Sequence, residues 1–421
     1  MNGMTRWSVV GLALLVVVIL SGGAALRAAI TVVPPESVGF SSQGLRAYAD
    51  ELNSLVAQGR LAGVSTLVAR QGKVVMYDAF GYRDLDTRAP LGKDAIFRIA
   101  SMTKPIVGVA MMMLWEDGKW SLDDPVAKHI PEFKDLNVTS PNGLVSQAHP
   151  MTMRELMSHT AGFDVSAGYE GKNINDRNKP LQAMIDALSK LPLAAQPGTD
   201  WRYGPSVDIQ GYIVEKLSGQ PLDEFLRTRI FEPLKMVDTG FSVDKSNLLR
   251  VAKVNTYNEQ KKIITAPTQS DPSRKPVFLS GSGGLLSTLE DYYHFAQMLL
   301  NGGEYEGKRL VKASTIELMR TSVLKDGVMV DLYGPREPGI GFGLDFAIVM
   351  DPAKANTPRG KNTFYWGGAY GTWFWVDPTN NVIVIGMIQN LRGSQPTGDT
   401  PQLRPLSAEL VYAALTKPST N

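Results

Sequence analysis

Apolar and polar positions recur along the chain with two different periods, and the change of period divides it. Leu45, Tyr48, Ala49, Leu52, Leu55 and Val56 follow the spacing of one helical face, with Ser41 or Ser42 placed to cap its start and Gly59 to stop it. Two apolar, β-branched runs come next, Gly63 to Arg70 and Lys73 to Phe80, separated by Gln71-Gly72; this is a hairpin pattern. From Ser101 to Trp115 the helical period returns and then dominates, over residues 152–158, 181–191, 206–217, 222–230 and 288–300. Ser287-Thr288-Leu289-Glu290 has the arrangement of a capping box at the start of the last of these, with Ser287 reaching forward and Glu290 back. Strand character resumes over Thr363 to Val376 and, past the turn Asp377-Pro378-Thr379-Asn380-Asn381, over Val382 to Gln389. A final amphipathic helix is expected from about Ser407 to Leu415.

Strands at both ends with helices between them predict an α+β fold. Sequential hairpins cannot build a parallel sheet, so the expectation is an antiparallel sheet flanked by helices, built from both termini, with an all-α domain inserted. The expected division assigns residues 26–110 and 290–421 to the α/β domain and 111–289 to the mainly helical one. No repeat or low-complexity stretch interrupts this order.

The first residues follow a different rule. Arg6, the apolar run Val9 to Leu20 and then Ser21, Gly22, Gly23, Ala24 and Ala25 read as a secretory signal peptide over residues 1–25, too short to span a bilayer comfortably. Leu26-Arg27-Ala28-Ala29 leaves the cleavage point open, and with it retention as an N-terminal tether. The expectation is an exported protein, periplasmic or secreted. The 421 residues contain no cysteine, which removes disulfides, thiolate catalysis and cysteine-held zinc together. Net charge is +2, from 43 basic and 41 acidic residues, and no run of like charge makes a nucleic-acid footprint. Oligomeric state is not legible from these features.

The candidate chemistry lies at the start of the apolar helix. Ile99-Ala100-Ser101-Met102-Thr103-Lys104-Pro105 puts a hydroxyl and an amine three residues apart on one helical face. A serine becomes a nucleophile when a neighbouring base takes its proton, and a lysine held among apolar side chains can be that base. Ser242-Val243-Asp244-Lys245 and Ser322-Val323-Leu324-Lys325 share the spacing, but only Ser101 leads into a long apolar helix, Ile106 to Leu114, able to seat the lysine stem. The four histidines, His129, His149, His159 and His294, form no H-x-x-x-H or H-x-H pair, so neither metal nor cofactor is expected. His159, beside Thr160 and Gly162 at a helix end, reads as a cap before it reads as a catalyst. Ser280-Gly281-Ser282-Gly283-Gly284 approaches the G-x-S-x-G elbow of α/β-hydrolases but lacks its first glycine.

Ser101-Met102-Thr103-Lys104, Leu156-Met157-Ser158-His159-Thr160-Ala161-Gly162 and the segment at Trp366 resemble the β-lactamase-like serine hydrolases. This superfamily comprises class C β-lactamases, D-alanyl-D-alanine carboxypeptidases and family VIII carboxylesterases; the likeness covers nearly all of the mature chain. It implies a site in a cleft between the sheet and the helical domain. It also implies that Tyr203, in Gly198 to Asp208, is a base together with Lys104; the asparagine two residues further on in that family's motif is here Pro205. Ser206, Asp208 and Gly211 are similar to the esterase branch, as is Trp366-Gly367-Gly368-Ala369 in place of Lys-Thr-Gly. The resemblance further implies an oxyanion hole from the backbone amides of Ser101 and Ala369, and substrate contact at Trp366, Gly367 and Gly368, the glycines letting substrate approach the strand. The expected activity is a serine carboxylesterase acting on small-molecule esters through an acyl-enzyme. Three alternatives stay open: acyl transfer to an alcohol, a β-lactamase or D,D-peptidase, and a binding protein that is acylated without turnover.

Overall fold

The computed structural model describes residues 30–164, 174, 176–267, 269–331, 336–391 and 400–416; the expected signal peptide lies outside them. The hairpin pattern opens an eight-stranded sheet. Strand β1 (Gly63–Arg70) turns into β2 (Lys73–Asp84) through Gln71 and Gly72, whose positive φ of 53° and 72° suit a tight primed turn. A short β3 (Ala89–Pro90) closes that edge. The other five strands come from the far end of the sequence: β4 (Ile340–Phe342), β5 (Ala347–Val349), β6 (Phe364–Gly367), β7 (Trp373–Asp377) and β8 (Val382–Met387). In space the order is β4-β5-β6-β7-β8-β1-β2-β3, with every pair antiparallel. Ser65 faces Met387 and Arg70 faces Val382, so the two ends of the chain meet at the centre of the sheet. This is the α+β arrangement that the patterning predicts.

The described residues also form nine α-helices. They are α1 (Ser42–Ala57), α2 (Thr103–Glu116), α3 (Met153–Met157), α4 (Leu181–Leu188), α5 (Ser206–Ser218), α6 (Leu222–Leu226), α7 (Leu289–Leu300), α8 (Ala313–Met319) and α9 (Leu403–Ala413). The pleat of β7 sends alternate side chains to opposite faces. Trp373 and Trp375 join Tyr48 and Leu52 of α1 and Val411 of α9 in one core. Phe374 packs on Tyr292 of α7, ring centroids 5.0 Å apart. Helix α2 is buried along most of its length and packs against α5.

Three expectations shift at their edges. The run 363–376 is two strands, because Gly368 to Thr372 form a turn in which Gly371 has a φ of 91° and donates to the Gly368 carbonyl (3.0 Å). Helix α7 is capped by Thr288, which accepts from Asp291 N (3.2 Å); Ser287 turns away to the Thr239 hydroxyl. Helix α9 starts at Leu403, since Pro405 falls in its first turn, where a missing N–H costs nothing.

Gly386 in β8 pairs with Trp373 across the ladder, where a Cβ would fall 2.0 Å from the indole. Gly386→Ala should therefore push Trp373 off its seat and lower stability by about 1–3 kcal/mol. Thermal unfolding followed by near-ultraviolet circular dichroism reads both effects; an unchanged midpoint and tryptophan signal would mean that the sheet absorbs the methyl.

Candidate active site

The turn Ile99-Ala100-Ser101 joins the bridge Phe97–Arg98 to α2, and it is strained. Ala100 has a φ of 45°, a left-handed conformation that costs a residue with a Cβ about 1–2 kcal/mol. Several bonds hold it there: Ile99 N donates to the Leu285 carbonyl (3.1 Å), Leu285 N to Thr103 Oγ1 (3.2 Å), and the Tyr292 hydroxyl to the Met102 carbonyl (2.9 Å). The result turns Ser101 toward open space, with its backbone N–H unbonded among the described residues.

One helical turn later, Lys104 is only 3% exposed. Its Nζ lies 3.1 Å from Ser101 Oγ, donates to the Ser282 carbonyl (2.6 Å), and sits 4.5 Å from the centre of the Tyr203 ring. The Ser282 carbonyl and the Tyr203 ring face thus engage the amine on two sides, and Ser101 Oγ is its third contact.

Tyr203 is half-buried, and its hydroxyl makes no hydrogen bond among the described residues. Its ring belongs to an aromatic cluster, with centroids 5.0 Å from His159, 6.0 Å from Trp201 and 5.6 Å from Trp366. His159 ends α3 as its position suggests, but through the backbone: at a φ of 59°, its N–H donates to the Leu156 carbonyl (3.4 Å) and that of Thr160 to Glu155 (2.8 Å). Both ring nitrogens are buried without partners among the described residues, and burial, reinforced by Lys104, holds the imidazole pKa well below its ordinary value. The ring is therefore neutral packing beneath Tyr203. Trp366 is only 5% exposed, so its indole is mainly a buttress for Tyr203 and Phe342, with little surface left for substrate.

Ala369 is exposed beside this cluster, and its backbone N–H, like that of Ser101, is unbonded among the described residues. The glycines before it require a different explanation from the one the sequence suggests. A Cβ on Gly368 would lie 2.3 Å from the Ile99 carbonyl oxygen, and one on Gly367 would lie 2.2 Å from the Arg404 guanidinium. The protein itself fills both spaces: Thr372 Oγ1 donates to Ile99 O (3.1 Å), and Arg404 Nη2 lies 3.3 Å from the carbonyls of Gly368 and Thr372. Close approach of the Ile99–Ser101 turn demands Gly368. A cavity of about 300 Å³ is lined by Trp366 and Gly367 together with Tyr365, Trp375, Arg359 and Arg404, and by none of Ser101, Lys104 or Tyr203.

The beta-lactamase family model matches residues 48–408. The chain belongs to the beta-lactamase family. An uncharacterized protein of Mycobacterium tuberculosis is 34% identical over 351 residues, 79% of this chain and 86% of that one. Esterase EstB of Burkholderia gladioli is 29% identical over 376 residues, 83% and 92% of the two chains. Among solved structures, EstCE1, described as a hydrolase with promiscuous acyltransferase activity, superposes with a TM-score of 0.74 at 24% identity, covering 88% of this chain and 99% of its own.

Two parts of this beta-lactamase-family site were missed from the sequence. The loop Ser280–Gly284, set aside as an imperfect elbow, supplies the carbonyl that holds Lys104. The other is Asp345, fully buried and within electrostatic reach of Lys104. Gln210 Nε2 donates to its Oδ1 (3.1 Å), while Oδ2 has no partner among the described residues and lies where a Cβ on Gly108 of α2 would come within 2.7 Å. Neither could be found by spacing, because each meets the site through a contact between distant segments. Among the described residues no three His, Asp or Glu side chains converge to hold a metal ion.

Burial pushes the Asp345 pKa well above the carboxylate range. Between the unfolded value near 4 and that raised value, the folded chain keeps a proton that the unfolded chain releases, so stability falls as pH rises through the window. Asp345→Asn removes the titration and should stabilise the protein at pH 8, by an amount that shrinks toward pH 4. Urea unfolding across that range measures the difference; a gain independent of pH would assign it to packing instead.

Proposed function

We propose that this beta-lactamase-family hydrolase is an exported serine carboxylesterase. The observation that carries the reading is the buried Lys104 amine 3.1 Å from Ser101 Oγ, beside the two unbonded amides of Ser101 and Ala369. Lys104, with Tyr203 across it, takes the Ser101 proton as Oγ attacks the ester carbonyl. The oxyanion is held by the Ser101 and Ala369 N–H groups; collapse expels the alcohol, which receives the proton back, and leaves an acyl-enzyme. Water activated by the same pair then attacks the acyl carbon, and Ser101 is released with the acid. The apolar N-terminal run, Val9 to Leu20, supports export.

Esters are favoured over lactams by two departures. Pro205 stands where the lactamases carry an amide side chain, and Trp366 where they carry an amine. In the family those groups grip the acylamino arm and the carboxylate of a β-lactam. Their loss removes a neutral hydrogen bond worth about 0.5–1.5 kcal/mol and a charged one worth about 1.5–3 kcal/mol. The sum corresponds to roughly two to three decades in specificity. The likeness to a protein named as an esterase points the same way.

An alkyl fluorophosphonate should add to Ser101, found by peptide mapping, and Ser101→Ala should abolish esterase activity while Ser242→Ala and Ser322→Ala retain it. Label on either of those serines would move the nucleophile.

Short p-nitrophenyl esters should be cleaved with a kcat/KM at least about a hundredfold above that for a chromogenic cephalosporin. Comparable efficiencies would restore the β-lactamase alternative, and a butyl ester formed on adding butanol would identify acyl transfer.

A further inference from the structure

We propose that Asp208 is a positioning residue for Lys104, acting through the loop Ser280–Gly284. Asp208 lies in the first turn of α5, five residues after Tyr203, and is only 3% exposed. Its Oδ1 accepts two hydrogen bonds from the loop, one from Ser280 Oγ (2.7 Å) and one from Ser282 N (2.9 Å). Between those two donors Gly281 lies flat on the helix, where a Cβ would sit 2.4 Å from the Val207 carbonyl oxygen. The N–H groups of Gly283 and Gly284 then fold back to the Ser280 carbonyl (3.3 and 2.9 Å). One carboxylate oxygen thus pins both ends of the Ser280–Ser282 step, and the next carbonyl along the chain, that of Ser282, is the one that accepts from Lys104 Nζ (2.6 Å).

The consequence concerns direction more than attraction. An amine can rotate about its last carbon bond, and its lone pair faces Ser101 only while another acceptor fixes one of its N–H bonds. Asp208 fixes that acceptor. Because Tyr203 lies in the short segment that leads into α5, Asp208 also anchors the Ser282 carbonyl to the helix that follows the other group Lys104 touches, the Tyr203 ring. Without the carboxylate the loop keeps its own turn but loses its anchor to α5, and the carbonyl is free to swing.

The inference rests on the reading of Lys104 as the base, so the test reads Ser101 directly, through its phosphonylation rate with an alkyl fluorophosphonate, beside kcat and KM for a p-nitrophenyl ester. Asp208→Ala should slow phosphonylation and lower kcat by about tenfold to a hundredfold, with KM within about twofold, since misplacing a reacting group by a fraction of an ångström acts on the chemical step. Asp208→Asn keeps an oxygen acceptor and should restore most of the rate, a rescue that a purely electrostatic role would not give. Unchanged rates in Asp208→Ala, or equal losses in the Ala and Asn variants, would overturn the proposal. If Asp208→Ala does not fold, Ser280→Ala removes one of the two bonds and should lower kcat several-fold with KM unmoved; no change there overturns it as well. A wild-type chain that does not label at Ser101 removes the underlying reading and this inference with it, whereas normal labelling that is indifferent to Asp208 removes this inference alone.

Discussion

The site depends on one close approach, that of the Ile99 carbonyl to Gly368. The Ile99–Ser101 turn and the end of β6 come from opposite ends of the chain, and they meet with no room for a side chain at position 368. Thr372 seals the contact by donating to the same carbonyl. This seam brings the turn that carries Ser101 against the strand end that precedes Ala369, with Ala100 held in its left-handed conformation. Strain of that kind persists only where the surroundings over-determine it. Here they do so through Leu285 on one side, Tyr292 beneath and Gly283 in contact above, so α7 and the loop before it act as buttresses for the turn that carries Ser101.

Around the seam, the buried groups are arranged so that Lys104 stands among neutral neighbours. Burial holds the His159 pKa down and pushes that of Asp345 up, in each case toward the uncharged form. A charged group packed directly on the amine would dominate it in a buried setting, where charges interact far more strongly than in water. What remains is directional: a carbonyl, an aromatic face and the serine oxygen. The charge of Asp208 is kept one hydrogen-bonded step away, behind Ser282.

How much of this could be read from the sequence follows from the range of each interaction. Ser101 and Lys104 are legible because helical periodicity puts them on one face, and because the apolar run after them distinguishes this copy of the spacing from those at Ser242 and Ser322. Strands at both termini give the sheet its class, since hairpins such as β1–β2 and β7–β8 pair antiparallel. The Ser280–Gly284 loop is silent because its bond to Lys104 closes over 178 residues with no periodic signal. The glycines of the Trp366 segment are visible as glycines, but what fills the space beside them, Ile99 and Arg404, is known only once the fold is. Ala100 is silent for a related reason: alanine gives no sign of a positive φ, and the strain is imposed from outside.

The same packing explains why the substitution at position 366 is more than an exchange of one substrate contact for another. The Trp366 indole sits edge to face with Phe342, centroids 5.4 Å apart, and supports Tyr203. A lysine placed there would have to bury its ammonium among aromatic rings, next to a second amine at Lys104, or leave the cluster and remove the support beneath Tyr203. Burying an unpaired charge in such a place costs more than the hydrogen bond it could offer a substrate carboxylate. The aromatic cluster and the absence of that amine are therefore one adaptation. Tyr203 is held by apolar packing, with Trp366 and His159 as its neighbours in one aromatic cluster.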